Sequence, residues 1–283
     1  MTRQSPIVES EGNLLMHVNG RRLAVEHTGA GPAVVFLHGI GGTSNVFQVQ
    51  AEALAPAHQV IRPDFAGAGR SPVADGISVA SHAEDIAAVL EALGVGRAVV
   101  VGHSMGTLVA RTLAARYPAK VAGLALLGAI RAPDAAAREA ILARAAVLRA
   151  EGSASIAGAI VGRSLSPTAR ARRPELAAFV RELVMRQDPE GYARNNEALA
   201  DAVDPGPVDP ALPLLLVAGR DDALSPPSVG EEIAAAHGGA EIQVIEGVGH
   251  LAPVEASGRT TELLTAFISA CFTPAGRAGE PSR

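Results

Sequence analysis

Hydrophobic residues fall in short runs along the chain, and the stretches between the runs carry a different period. LLMHV (14–18) and RRLAVEH (21–27) flank Asn19-Gly20. That dipeptide suits a type I′ turn, so the segment predicts an N-terminal β-hairpin. AVVFLHG (33–39), HQVIRPD (58–64) and AVVVGHS (98–104) are apolar and β-branched, and stretches of helical period such as HAEDIAAVLEALG (82–94) lie between them. Unalternated strands separated by helices predict a parallel sheet covered on both faces. AGLALLGA (122–129) and LPLLLVAG (212–219) continue the sheet and EIQVIEG (241–247) ends it, for eight strands.

Between the fourth and fifth of the parallel strands, residues 131–206 change character. They are helical in pattern, rich in Ala, Arg and Glu, and lead back to the sheet through Pro205, Pro207, Pro210 and Pro213. A segment of this length exceeds an ordinary connection. The pattern predicts a helical lid at 131–206, with the Pro-rich stretch as its hinge, inserted into an α/β core of residues 12–130 and 207–272. Residues 1–11 and 273–283 are expected to be flexible tails.

Composition removes several function classes. No apolar run approaches the roughly 18 residues that span a bilayer. MTRQSPIVESEG has neither an apolar core nor a small-residue cleavage site, so a soluble, cytoplasmic protein is expected. The single cysteine, Cys271, shares helical spacing with Leu263, Leu264, Phe267 and Ile268, and reads as buried packing. One cysteine forms no internal disulfide, and no Cys/His cluster has zinc-like spacing. A net charge of −5 with 19% charged residues offers no basic stripe for nucleic acid.

The chemistry concentrates at the ends of the predicted strands. Gly102-His103-Ser104-Met105-Gly106 follows the strand AVVV and precedes the helix-like TLVARTLAARYP. A G-x-S-x-G between strand and helix is a nucleophile elbow, which projects Ser104 from the sheet edge and points helix N–H groups at it. A serine hydroxyl needs a neighbouring base. His250, in Gly247-Val248-Gly249-His250 after the last strand, is the best placed of the eight histidines. His103 is assigned to packing and His38 to shaping its loop, and His17, His27, His58, His82 and His237 read as structural. The imidazole in turn needs a carboxylate, and the loop after LPLLLVAG offers Asp221 and Asp222. The order Ser, Asp, His suits this elbow. Donors for an oxyanion are expected from the backbone N–H groups of Met105 and of Ile40, in His38-Gly39-Ile40-Gly41-Gly42.

From Asn13 to Phe272 the chain resembles the α/β-hydrolase superfamily. The resemblance rests on His38-Gly39 with its glycines, on Asp64 to Ser71 (DFAGAGRS), on the Ser104 elbow, on Gly219 to Pro226, and on Gly249-His250 with Pro253 and Glu255. Members show G-x-x-D-x-x-x-P at the acid loop, which aligns Gly219, Asp222 and Pro226 and so implies Asp222 rather than Asp221. Asp64 and Ser71 match a motif that braces the loop beside the oxyanion donors. HGIGGTSNVF, RPDFAGAGRSP and DPEGYARNNEALA look most like the 3-oxoadipate enol-lactonase-like esterases and lactonases. Their substrates are anionic, and residues 131–206 carry eleven arginines, Arg170, Arg172 and Arg173 among them. Ten carboxylates share that segment, so the arginines read as a solvated face.

Relatives with an aspartate nucleophile are set aside by Ser104, and Gly41 stands where cofactor-free haloperoxidases often carry proline. Carbon–carbon bond hydrolases often show His-Gly-x-Gly-Pro-Gly and a Trp after the histidine, and this chain has Leu251 there and no Trp. The resemblance implies hydrolysis of a small ester or lactone through an acyl-enzyme on Ser104, without metal or organic cofactor. The alternatives are a carbon–carbon bond hydrolase of diketone-like substrates and a low-turnover ligand-binding or signalling member of the fold.

Overall fold

The computed structural model describes residues 7–10 and 12–273. The strands are β1 (Ile7–Ser10), β2 (Asn13–Val18), β3 (Arg21–Thr28), β4 (Ala33–Leu37), β5 (Gln59–Pro63), β6 (Ala98–His103), β7 (Val121–Leu127), β8 (Leu214–Gly219) and β9 (Ile242–Ile245). The helices are α1 (Gln48–Leu54), α2 (Val79–Ala92), α3 (Met105–Arg116), α4 (Ala135–Glu151), α5 (Ala157–Ser164), α6 (Pro167–Arg172), α7 (Pro174–Met185), α8 (Pro189–Ala200), α9 (Pro227–Ala236), α10 (Ala252–Glu255) and α11 (Ser257–Phe272).

Strands β2 to β9 are the eight expected from the hydrophobic runs. They lie in one sheet in the order β1-β2-β3-β5-β4-β6-β7-β8-β9. The first three pairings, up to β3 with β5, are antiparallel, and all the rest are parallel. β1 falls within the expected tail 1–11. The remaining tail positions, 1–6, 11 and 274–283, lie outside the described residues.

The N-terminal hairpin turns where the sequence places it, with Asn19 at φ 48° and Gly20 at φ 75°. Both central residues of a type I′ turn need positive φ. In the middle of the sheet every residue of β4, β6 and β7 is buried. Successive side chains of a strand point to opposite faces, and the core divides accordingly. Val35, Leu37 and Val100 join Ile86, Leu90, Leu108 and Leu113 of α2 and α3. Val34, Phe36, Val99 and Val101 join Leu54 of α1 and Leu264 and Ile268 of α11. Each such side chain contributes about 1.5–3 kcal/mol when fully buried, so the unalternated apolar runs account for a sheet sandwiched between helices.

Between β7 and β8 the chain runs through α4 to α8. Asp134 caps α4 through the Ala137 N–H (2.8 Å), and Asp188 caps α8 through the Gly191 N–H (2.8 Å), just before Pro189. α4 and α8 lie together, and Leu148, Ala157, Val184 and Tyr192 form a small third core. The return to β8 is held against α3 by Arg111, which pairs with Asp204 (2.6 Å) and donates to the Gly206 carbonyl (2.8 Å). Among the described residues, no helix is long and apolar enough to cross a membrane. Cys271 is only partly buried, packed beside Phe267 at the sheet face.

Candidate active site

Parallel strands bring the loops at their carboxyl ends to one edge of the sheet. That single fact gathers residues far apart in sequence: His38–Gly42 after β4, Ser104 after β6, Asp222 after β8 and His250 after β9.

Ser104 sits between β6 and α3 with φ 52° and ψ −120°. Apart from Asn19 it is the only non-glycine residue with positive φ among those described. Such a conformation costs on the order of 1–3 kcal/mol and persists only where its surroundings enforce it. The glycines at either end of the elbow do so by close approach. A Cβ on Gly102 would collide with the Gly106 carbonyl, and one on Gly106 with the Leu37 carbonyl. The Ser104 N–H donates to the Leu127 carbonyl (3.1 Å), and its own carbonyl accepts from the Thr107 N–H (2.8 Å) and hydroxyl (2.6 Å).

His250 Nδ1 lies 2.7 Å from Asp222 Oδ2, and both side chains are buried. With the proton on Nδ1, Nε2 is left as an acceptor. The other Asp222 oxygen accepts from the N–H groups of Leu224 and Ser225, each at 2.8 Å. Burial pushes the Asp222 carboxyl up. The His250 contact and these two N–H groups outweigh it, so the carboxyl titrates below its ordinary range. Asp221 is exposed, and its N–H bonds the Val248 carbonyl. Of the two carboxylates left open by the residues alone, it is Asp222 that meets the imidazole.

The His250 backbone is fixed from the helical segment. Its N–H donates to the Ser164 carbonyl (2.9 Å) at the end of α5. Glu255 accepts from the Gly249 N–H on one oxygen and from the Ser166 N–H on the other, both at 3.1 Å. Two further supports escape the sequence pattern. His103, assigned to packing, is buried but also donates from Nε2 to the His250 carbonyl (2.8 Å), with the ring centroids 4.8 Å apart. Burial, with a smaller push from His250, lowers the His103 pKa to about 3, which keeps it neutral. Gly128, at φ 52°, leaves room for the imidazole, since a Cβ there would stand 3.0 Å from His250 Nδ1. The only sequence signal for Gly128 is its place at the end of β7 beside the elbow.

Gly39 packs so tightly on the elbow that a Cβ would lie 2.8 Å from Ser104 Cβ. This places the loop carrying Ile40 alongside the serine. Among the described residues, the N–H groups of Ile40 and Met105 have no protein acceptor. His38 sets the loop from below, as its sequence position suggests: Nδ1 donates to the Gly39 carbonyl (2.8 Å) and Nε2 accepts from the Phe65 N–H (3.0 Å). Asp64 braces the same region by accepting from the Ser44 N–H (2.7 Å) and the Arg70 N–H (3.0 Å). Ser71 ties β3 to β5 by accepting from the Ala24 N–H and donating to the Asp64 carbonyl.

Ser104 and His250 open into a cavity of about 430 Å³ walled by Ile40, Ile141, Val180, Leu183 and Leu224, with Arg144 and Tyr192 in its lining. A larger groove of about 770 Å³ contains neither Ser104 nor His250, and its Arg149 and Arg194 are already paired with Glu190. Geometry and chemistry therefore favour the smaller cavity. Among the described residues, no three His, Cys, Asp or Glu side chains gather as a metal site.

Comparison with known proteins agrees with this architecture. A thermophilic esterase from Thermogutta terrifontis superposes with a TM-score of 0.86 at 31% identity, covering 92% of this chain and 97% of the esterase. The enol-lactonase of Burkholderia xenovorans superposes with a TM-score of 0.82 at 28% identity, covering 90% and 99%. In sequence, an uncharacterised protein of Mycobacterium tuberculosis is 30% identical over 256 residues, 82% of this chain and 74% of the relative. The proposed carbamate hydrolase RutD of Variovorax paradoxus is 41% identical over 125 residues, 43% of this chain and 47% of that protein. The model of the alpha/beta hydrolase fold matches residues 32–257. The chain belongs to the α/β-hydrolase family.

Proposed function

We propose that this protein is a serine hydrolase of small carboxylic esters or lactones, with Ser104 as nucleophile, His250 as general base and acid, and Asp222 as the partner of His250. The observation that carries the reading is the strained Ser104 and His250 on the wall of one cavity, with His250 held by the buried Asp222 behind it. The similarity to an esterase and an enol-lactonase supports the choice of ester or lactone carbonyl.

In this reading His250 Nε2 takes the Ser104 proton as Oγ attacks the carbonyl carbon. The tetrahedral oxygen draws its charge into the Ile40 and Met105 N–H groups, which have nothing else to bond. His250 then returns the proton to the leaving alkoxide or enolate, and the acyl group stays on Ser104. A water molecule, deprotonated by the same imidazole, releases the acid. Asp222 holds the tautomer and stabilises the imidazolium that forms in each half. The chemistry calls for no metal or organic cofactor. Residues 131–206 act as the lid, supplying Ile141, Val180 and Leu183 to the cavity wall.

The test is release of p-nitrophenol from short-chain p-nitrophenyl esters, with an aryl carbamate as comparator because of the likeness to RutD. Ser104→Ala should abolish turnover and labelling by a fluorophosphonate while the melting temperature is kept. Labelling that persists in Ser104→Ala, or turnover only of a carbon–carbon substrate, would remove the reading.

A further inference from the structure

The cavity above Ser104 is apolar over most of its wall, yet three arginines reach it: Arg131, Arg144 and Arg163. Among the described residues, none of its lining side chains is a carboxylate. Arg131 is engaged with Glu232 (2.8 Å) and Asp204. Arg144 is not engaged in that way. Its Nε donates to Asn196 Oδ1 (2.6 Å), and Asn196 Nδ2 donates to the Tyr192 carbonyl (2.7 Å). This fixes the guanidinium by one corner. Its two terminal nitrogens have no protein acceptor and no acidic partner among the described residues, and the exposed Arg163, also in the lining, has neither as well.

Tyr192 supplies the second, independent observation. Its side chain lines the cavity and is 2% exposed, and its buried hydroxyl, against Gly41, has no hydrogen-bond partner. A half-buried charge without a counter-charge and a buried hydroxyl without an acceptor each carry a cost that a ligand can relieve. An anion in the cavity that reached both groups would satisfy both.

We propose, building on the hydrolase reading above, that Arg144, Arg163 and the Tyr192 hydroxyl form a subsite for a carboxylate that the substrate carries apart from its scissile carbonyl. The two free nitrogens of Arg144 match the two oxygens of a carboxylate, a pairing that gives geometry as well as charge. Arg163 adds a second positive charge from the solvent side. Burial pushes the Tyr192 phenol up to about 12, so it remains a neutral donor at physiological pH. The apolar wall then accepts the carbon chain between the two ends. The reaction is unchanged: Ser104 forms the acyl bond at one carbonyl while the subsite holds the other end of the molecule.

The test pairs charged and neutral substrates of one length. Mono-p-nitrophenyl esters of C4 to C8 dicarboxylic acids are compared with their ω-carboxamides, and acetate esters of ω-hydroxy acids with the corresponding hydroxy amides, so that either end can carry the charge. A charge-assisted pair is worth about ten- to a hundredfold. The wild type should therefore favour the carboxylate in kcat/KM by at least about tenfold in one series. Arg144→Met should bring that ratio close to one, Arg144→Lys should keep part of it, and Tyr192→Phe should lower it by a few fold. Calorimetric titration of Ser104→Ala with glutarate and suberate provides a readout free of turnover: salt-sensitive binding, lost on adding Arg144→Met, supports the subsite. If esters turn over with no preference for the carboxylate and neither diacid binds, the subsite is overturned and the hydrolase reading stands. If no ester turns over but a diacid binds through Arg144, the hydrolase reading fails and the subsite stands.

Discussion

Replacing Asp222 by Asn keeps the shape of the side chain and changes one property, the ability to accept on both oxygens. In the native site one oxygen accepts from the Leu224 and Ser225 N–H groups and the other from His250 Nδ1. Asparagine has one carbonyl oxygen to share among three donors. Placing it toward the two backbone N–H groups turns the amide NH2 to His250, whose Nδ1 must then lose its proton, and Nε2 gains one. In that tautomer Nε2 carries the proton and cannot take one from Ser104. The opposite flip strands two backbone donors, at about 1–3 kcal/mol each, so the first arrangement wins. Wrong-tautomer triads lose on the order of 10³- to 10⁴-fold in kcat, about 4–5.5 kcal/mol of transition-state stabilisation. Initial rates on p-nitrophenyl butyrate at neutral pH measure this, with thermal melts to verify folding. Asp221→Asn, altering an exposed side chain, should stay within about twofold of wild type. A kcat for Asp222→Asn within tenfold of wild type, in a folded protein, would refute the assignment.

Three other outcomes follow from the same site. Ser104→Gly should be inactive yet more stable to urea than Ser104→Ala by about 1 kcal/mol, because only glycine relieves the positive φ; equal stabilities would show that the elbow is unstrained. Gly128→Ala, with a Cβ 3.0 Å from His250 Nδ1 on a residue at φ 52°, should lower kcat by at least about tenfold and stability by about 1–3 kcal/mol, and unaltered kinetics would contradict the packing. His103 and His82 are held by burial at pKa values of about 3 and about 4, below the ordinary 6.5. The unfolded chain therefore takes up their protons first, so the stability they contribute is complete above about pH 6.5 and declines from there toward pH 4. Asp222 titrates below its ordinary range and so outside that window, whereas Asp85, raised by burial, takes up its proton first in the folded chain and offsets part of the loss. Urea midpoints measured across it should fall steadily, less so in His103→Gln, and a flat profile in the wild type would be the contrary result.

Much of this site is legible in the sequence because it depends on local signals at strand ends. The runs that form β4, β6, β7, β8 and β9 are unalternated, and a parallel sheet necessarily delivers Ser104, Asp222 and His250 to the same edge. Ser104 itself is marked by two glycines whose backbones must touch their neighbours. The supports of His250 are not legible, because they are long-range and generic. His103 reaches the His250 carbonyl across 147 positions, and nothing near His103 announces it. Arg144 and Tyr192 are hidden for another reason. Eleven arginines and ten carboxylates share residues 131–206, and sequence order does not say which pairs cancel. Arg149 meets both Glu190 and Glu197, Arg138 meets Asp201, and Arg144 is left with an amide. The strand β1 is short and its residues IVES give no pattern long enough to separate from a tail.

The hydrogen bond from the His250 N–H to the Ser164 carbonyl makes the helical segment a structural partner of the proposed catalytic base, beside the cavity wall it supplies. A chimaera that exchanged α4 to α8 for those of a relative, in order to import a new substrate range, would also exchange the peg on which His250 hangs. On the proposed mechanism, selection on substrate choice and selection on turnover would act on the same stretch of backbone. Variants that broaden the cavity through α5 should lose rate more often than variants at an equal distance on α4, and a library targeted to residues 157–166 should yield fewer active clones than one targeted to 135–151.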